Sequence, residues 1–117
     1  MKKPNDLEQV AYDFALALFR MRDLYPKEEK CGLAMEMVTE AVSVCACIST
    51  AMQLNDEDVK NELLLKAFSA TFRIEVMLAI SRDLNWPKAI DKPLNTLEKI
   101  RNGLEEILGT ITYEIPK

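Results

Sequence analysis

The chain has 117 residues, 49% of them hydrophobic and 29% charged, with a formal net charge of -4 and no histidine. This length predicts one domain over residues 1–117, and the apolar fraction excludes a disordered chain. The absence of histidine removes the commonest general base and the commonest metal ligand, and the acidic balance counts against broad affinity for polyanions.

The first two predicted elements are helices that meet at Tyr25-Pro26. Asn5 and Glu8 have capping-box spacing at the start of helix one. Apolar residues then recur every three or four positions: Leu7, Val10, Ala11, Phe14, Leu18, Met21 and Leu24. Pro26 disfavours helical geometry at Tyr25 but suits the first position of helix two. The predicted buried stripe of helix two is Leu33, Met37, Ala41, Val44, Ile48 and Met52.

Helix three is predicted from about Asp56 to about Leu84, with Asn55 or Asp56 as its cap. On a helical wheel its polar residues fall within an arc of about 60°: Glu62, Lys66, Ser69 and Arg73. Most of the remaining circumference is apolar. One bundle core covers only one side of a helix, so this pattern predicts self-association through helix three.

Helix four begins at Asp91 and Pro93, and its stripe is Leu94, Leu97, Ile100, Leu104, Leu108 and Ile111. The short connections make neighbouring helices antiparallel. The sequence therefore predicts an all-α, antiparallel up-down-up-down four-helix bundle that forms oligomers.

The residues that carry chemistry in other proteins form no catalytic or metal-binding pattern here. Cys45 and Cys47 point about 200° apart on a helix and cannot chelate one ion, and Cys31 stands alone. We expect no enzymatic activity, no cofactor and no metal. The sequence shows no convergent cluster of polar residues, so we expect no small-molecule substrate.

An odd number of cysteines without a framework spacing favours reduced thiols and a cytoplasmic location. The N-terminal residues lack the apolar core of a signal peptide. The longest apolar or small run, residues 41–48, is too short to span a membrane, so we expect no membrane partner.

Glu75 is a carboxylate on the apolar side of predicted helix three. A buried carboxylate there requires a partner or becomes neutral. We predict a buried ion pair of Glu75 with Arg82, within one subunit or between subunits; the alternative is a ligand-binding role.

Several stretches resemble a known family of four-helix bundles. They are Tyr25 to Leu33, Ala41 to Val44, Arg73 to Leu84 and Leu104 to Gly109. The family comprises proteins encoded in intervening sequences of ribosomal RNA genes and the accessory variability determinant (Avd) of diversity-generating retroelements. The Asn-Ile-Ala-Glu-Gly motif of the intervening-sequence branch is replaced here by Cys47 to Ala51, and Arg73 resembles the accessory-protein branch.

The resemblance implies a non-catalytic adaptor that forms a five-subunit barrel and binds a reverse transcriptase and structured RNA. Contacts to nucleic acid or polymerase would then come from basic side chains: Lys66, Arg73, Arg82, Arg20 and Arg22. The alternative is a structural homo-oligomer that mediates protein–protein interaction without nucleic acid.

Overall fold

The computed structural model of the protein describes residues 6–29, 32–86 and 90–113, without the side chains of residues 29 and 110–113. These ranges contain four α-helices: α1 (Asp6–Met21), α2 (Leu33–Gln53), α3 (Glu57–Asp83) and α4 (Asp91–Tyr113). Two single-turn 3-10 helices, Arg22–Leu24 and Lys27–Glu29, lie between α1 and α2. The four predicted helices are confirmed, but Pro26 is not the first residue of helix two: Lys27–Glu29 forms a separate 3-10 helix, and α2 begins only at Leu33, after Gly32. The Asn5 cap, Cys31 and the Ile111 side chain lie outside the described residues.

Each helix packs against its neighbours in the chain, and α4 packs back onto α1. The order around the bundle is therefore α1, α2, α3, α4. Because short connections join successive helices, the neighbours run antiparallel, which confirms the predicted all-α antiparallel packing. The side formed by α1 and α2 lies across the bundle from the side formed by α3 and α4.

The core is built from the apolar stripes of all four helices. Its largest side chains are almost fully buried: Phe14, Met37, Val44, Ile48, Leu64, Ile74, Leu78, Ile90, Leu97, Ile100, Leu104 and Leu108. Each buried side chain of this size stabilises the fold by about 1.5–3 kcal/mol. Leu24 is an exception to the predicted stripe, because α1 ends at Met21 and leaves Leu24 exposed.

The two ends of α3 carry well-formed caps. Asp56 accepts hydrogen bonds from the backbone N–H groups of Asp58 and Val59, at 3.0 and 3.2 Å. At the other end Asn85 has φ of 62°, and the N–H of Trp86 donates to the Ser81 carbonyl at 2.8 Å. This is a Schellman arrangement with asparagine in the left-handed position, and it ends the helix sharply.

Tyr25 closes one end of the bundle. Its side chain is buried, and its hydroxyl lies 2.7 Å from Ser81 Oγ and 4.0 Å from Met37 Sδ. Ser81 Oγ donates its own proton to the Met77 carbonyl at 2.9 Å. The hydrogen bond between the hydroxyls of Tyr25 and Ser81 therefore fastens the loop after α1 to α3.

Among the described helices, α2 is long and apolar enough to cross a membrane by length and composition alone, with a mean hydropathy of 1.4. The expectation from residues 41–48 overlooked this, because Glu36 and Glu40 interrupt the apolar run. In the fold α2 packs on both α1 and α3 and buries seven residues: Ala34, Met37, Val38, Ala41, Val44, Ile48 and Ala51. The core helix of a soluble protein passes the same test of length and composition.

Candidate interaction surfaces

The first candidate surface is an apolar groove between α1 and α2. It has a volume of about 330 Å³, and none of the described residues that line it is charged. The lining residues are Tyr12, Ala15, Leu16, Phe19, Val38, Val42, Cys45 and Ala46. Tyr12, Phe19 and Val42 are each exposed over half or more of their surface. We call these eight residues the α1–α2 face.

The second surface is an apolar ridge along the outside of α3, formed by Leu65, Phe68, Phe72 and Val76. Leu65, Phe72 and Val76 are 39%, 46% and 59% exposed. Phe68 packs edge-to-face on Phe72, with ring centroids 5.2 Å apart. We call these four residues the α3 face. The wheel predicted more apolar surface on this helix than one bundle core covers, and these exposures confirm it.

Arg101 of α4 holds the side of α3 that carries Glu75. Its Nη2 donates to Glu75 Oε1 at 2.6 Å and to the Thr71 carbonyl at 3.4 Å, and its Nε donates to Thr71 Oγ1 at 3.3 Å. The guanidinium also lies 4.0 Å from the centroid of the Phe72 ring. The side chain of Arg101 is only 17% exposed, so these contacts form a partly desolvated link between the two helices.

Within one chain, the predicted buried pair of Glu75 with Arg82 does not form. Glu75 is 48% exposed and binds Arg101, whereas Arg82 binds the adjacent Asp83 at 3.3 Å. The physical reason is position: Glu75 lies at the edge of α3 that faces α4, and Arg82 is two helical turns further on, about 10 Å along the axis.

Replacing Arg101 by Ala should lower the free energy of unfolding by about 1–3 kcal/mol, since it removes the contact with Phe72 and the hydrogen bonds to Thr71 and Glu75. Glu75→Ala should cost about 1 kcal/mol or less because that carboxylate is half exposed. Urea denaturation measures both changes.

Arg73→Ala is the matched control for Arg101→Ala. Arg73 also binds a carboxylate, that of Glu40, but its own side chain is 58% exposed. Its loss should change the free energy of unfolding by about 0–1 kcal/mol. Equal, small effects of the two substitutions would show that Arg101 is not a link between helices.

The basic residues predicted to contact nucleic acid or a polymerase do not form one patch. Lys66 is exposed and shares a stripe of α3 with Arg73, seven residues away. The Arg73 Nε donates to both oxygens of Glu40, at 2.9 and 3.2 Å, and this bond raises the pKa of Arg73. Arg82 is bound to Asp83 at the end of α3.

The other two predicted contact residues lie on α1 and just after it. The guanidinium of Arg22 lies 5.1 Å from the centroid of the Phe19 ring and donates to Met35 Sδ at 3.3 Å. Its Nε is buried and has no hydrogen-bond partner among the described residues. Arg20 lines a different groove. Of the five, only Lys66 and Arg73 are brought together.

That groove lies between α1 and the first half of α4, with a volume of about 810 Å³. Its lining is Val10, Asp13, Phe14, Ala17, Leu18, Arg20, Met21, Leu24, Lys92, Pro93, Thr96 and Lys99. We call it the α1–α4 groove. Sequence reasoning missed it because the groove depends on how far two helices remote in the chain stand apart.

Within the described residues, no group of three or more cysteine, aspartate or glutamate side chains could hold a metal ion. Cys45 and Cys47 are free and partly buried. Burial raises the pKa of the Cys45 thiol, which favours its uncharged, less nucleophilic form.

No known protein family and no curated protein matches this chain. Fold and surfaces together define a small all-helical, four-helix protein with two exposed apolar faces and one partly basic groove.

Proposed function

We propose that this protein is a non-catalytic accessory protein that assembles with copies of itself and acts as an oligomeric adaptor. The observation that carries the proposal is the pair of exposed apolar surfaces, the α1–α2 face and the α3 face. Isolated exposed apolar side chains are ordinary, but contiguous patches mark interaction sites. We also propose a cytoplasmic location, because an odd number of cysteines without a framework spacing favours reduced thiols.

The two faces differ in shape, which favours a head-to-tail assembly. The α1–α2 face is a groove, and the α3 face is a ridge on the opposite half of the bundle. A ridge of one subunit against the groove of the next is a heterologous contact, and repetition of such a contact closes into a ring when the rotation permits. Five subunits is the number that the resemblance to accessory variability determinants implies.

The resemblance also suggests that the adaptor serves a complex of a reverse transcriptase with structured RNA. Lys66 and Arg73 lie on one stripe of each subunit, and a five-membered ring would gather about ten such charges. Arg82, Arg20 and Arg22 would lie outside this stripe. With a net charge of -4 per chain, binding would depend on this local zone.

Binding to structured RNA should therefore be weak, nearly independent of RNA sequence and steeply weakened by salt, since it depends on counterion release. Reversal of both charges (Lys66→Glu with Arg73→Glu) should abolish the retention of RNA by the protein and leave the oligomer intact. A filter-binding salt titration of wild type and variant measures this. No retention by wild type at low salt would refute the RNA contact.

A structural homo-oligomer that binds only protein is the second candidate. It is favoured by the state of the arginines: Arg73, Arg82 and Arg101 are each bound to a carboxylate of the same chain. A phosphate would have to displace that carboxylate. If wild type retains no RNA at any salt concentration and still forms an oligomer, the second candidate is the better one.

A further inference from the structure

The α1–α4 groove is a trough with an apolar floor and a basic rim. The apolar surface that an occupant can reach comes from the half-buried and exposed apolar residues of the lining: Val10, Ala17, Met21, Leu24 and Pro93. Arg20, Lys92 and Lys99 lie along its edges and are exposed. Among the described residues that line the groove, Asp13 is the one carboxylate. The groove therefore concentrates positive charge on a chain whose net charge is negative.

Packing of α1 against α4 accounts for the trough. At one end Gly103 admits Leu7, whose Cδ1 would lie 2.8 Å from a Cβ placed on the glycine. Towards the other end the side chains between the helices are short: Ala17, Pro93 and Thr96 line the groove and do not fill it. The helices thus approach closely at one end and leave apolar surface uncovered at the other.

The rim cations are free of carboxylate partners within the part of the chain that the structure describes. No ion pair there involves Arg20, Lys92 or Lys99, in contrast to Arg73, Arg82 and Arg101. A ligand with negative charge beside an apolar surface would therefore meet cations that no internal carboxylate neutralises.

We propose that the α1–α4 groove binds an amphipathic helix of a partner protein, with the apolar face of that helix on the floor and its carboxylates against Arg20, Lys92 and Lys99. The proposal deepens the adaptor role and rests on it, because it assigns the class of partner. It involves neither the α1–α2 face nor the α3 face.

The dimensions of the groove suit a helix. Val10 and Met21 are about 16 Å apart along α1, and Lys92 and Lys99 are about 10 Å apart along α4. A partner helix of about three turns spans this length, and its residues seven apart repeat at the same spacing of about 10 Å as the two lysines. An apolar stripe flanked by glutamates is thus the complementary surface.

A helix fits the open shape better than a small molecule does. Arg20, Leu24, Lys92 and Lys99 are exposed along the groove, so that an occupant keeps one side in solvent. Small-molecule sites enclose most of their ligand, whereas helix-binding grooves cover only one face of the helix.

The test uses three fluorescent synthetic peptides and the full-length protein. The first has leucines at helical spacing flanked by glutamates, the second has lysines in place of the glutamates, and the third keeps the glutamates but has serines in place of the leucines. Fluorescence anisotropy should show binding of the first peptide only. Equal binding of the third would mean attraction of a polyanion, such as RNA, and would overturn the proposal.

Two variants locate the binding. Lys92→Glu with Lys99→Glu should weaken binding of the acidic peptide by about tenfold or more and create binding of the basic peptide. Lys27→Glu with Lys60→Glu makes the same change of charge at two lysines outside the groove, and it should leave binding within about twofold of wild type. Equal losses in both variants would contradict the proposal.

A steric variant gives an answer that does not depend on charge. Ala17 is exposed in the groove, and Ala17→Phe should fill the trough and abolish peptide binding without altering the circular dichroism spectrum. Light scattering on the same samples reports the oligomer. Wild-type protein that assembles but binds no peptide would refute the groove alone, whereas wild-type monomer that still binds the peptide would refute only the proposed assembly.

Discussion

Replacing Tyr25 by Ala should lower the free energy of unfolding by about 3–5 kcal/mol, the largest effect we expect from one substitution. The side chain is 3% exposed and fills the space between α2 and α3 at one end of the bundle. Its removal leaves a cavity and an unfastened loop. Chemical denaturation followed by circular dichroism measures the loss.

Tyr25→Phe separates the hydrogen bond from the packing. It keeps the ring and removes only the hydroxyl, and Ser81 Oγ still donates to the Met77 carbonyl. The cost should be about 0.5–1.5 kcal/mol. Losses of equal size in the two variants would show that the ring contributes nothing and that Tyr25 does not close the bundle.

The same residue predicts a loss of stability in alkali. Burial raises the pKa of Tyr25 above its ordinary value of 10.0. Its contribution is therefore fully present below about pH 10 and is lost as the pH rises through the higher pKa of the folded state. Denaturation at rising pH should show a steeper decline for wild type than for Tyr25→Phe, since only wild type carries this group. Identical slopes would contradict the assignment.

Substitutions on either apolar face should dissociate the proposed oligomer and leave the fold of the single chain intact. Tyr12→Glu with Val42→Glu places two charges on the α1–α2 face, and Leu65→Glu with Val76→Glu places two on the α3 face. Because these side chains are exposed in the single chain, the melting temperature of the monomer should change little. Burial of unpaired carboxylates at a contact costs several kcal/mol, so assembly should weaken by at least about a hundredfold.

A matched control places the same charges outside both faces. Thr50→Glu with Asn95→Glu changes two exposed positions on α2 and α4. The mass of its assembly in light scattering should equal that of wild type. Dissociation of this control would mean that total negative charge, and not the two faces, decides assembly.

The helices and the exposed apolar side of α3 could be predicted from the sequence, because both follow from local periodicity. The narrow polar arc that includes Lys66 and Arg73 already implied that residues such as Val76 would be left uncovered. Asp56 was likewise one of two predicted caps for α3. These features depend on residues within a few turns of one another.

Features that depend on two remote helices could not be predicted in this way. A wheel gives the direction of Glu75 on α3 but not which residue of α4 faces it, and Arg101 is 26 residues away in the chain. The α1–α4 groove likewise requires the separation of two helices at opposite ends of the chain. The sequence around Pro26 marks Tyr25 only as the end of a helix, because the pattern of a turn contains no information about what its side chain contacts.

The most direct test of the adaptor proposal is the mass of a mixture of the two face variants, measured by light scattering at micromolar concentration. Wild type should be a multimer, and each variant alone should be a monomer of about 13.3 kDa. In an equimolar mixture, the intact α3 face of one variant meets the intact α1–α2 face of the other. The account predicts a heterodimer of about twice the monomer mass, since only one contact can form. Monomeric wild type, or two variants that stay monomeric when mixed, would contradict it.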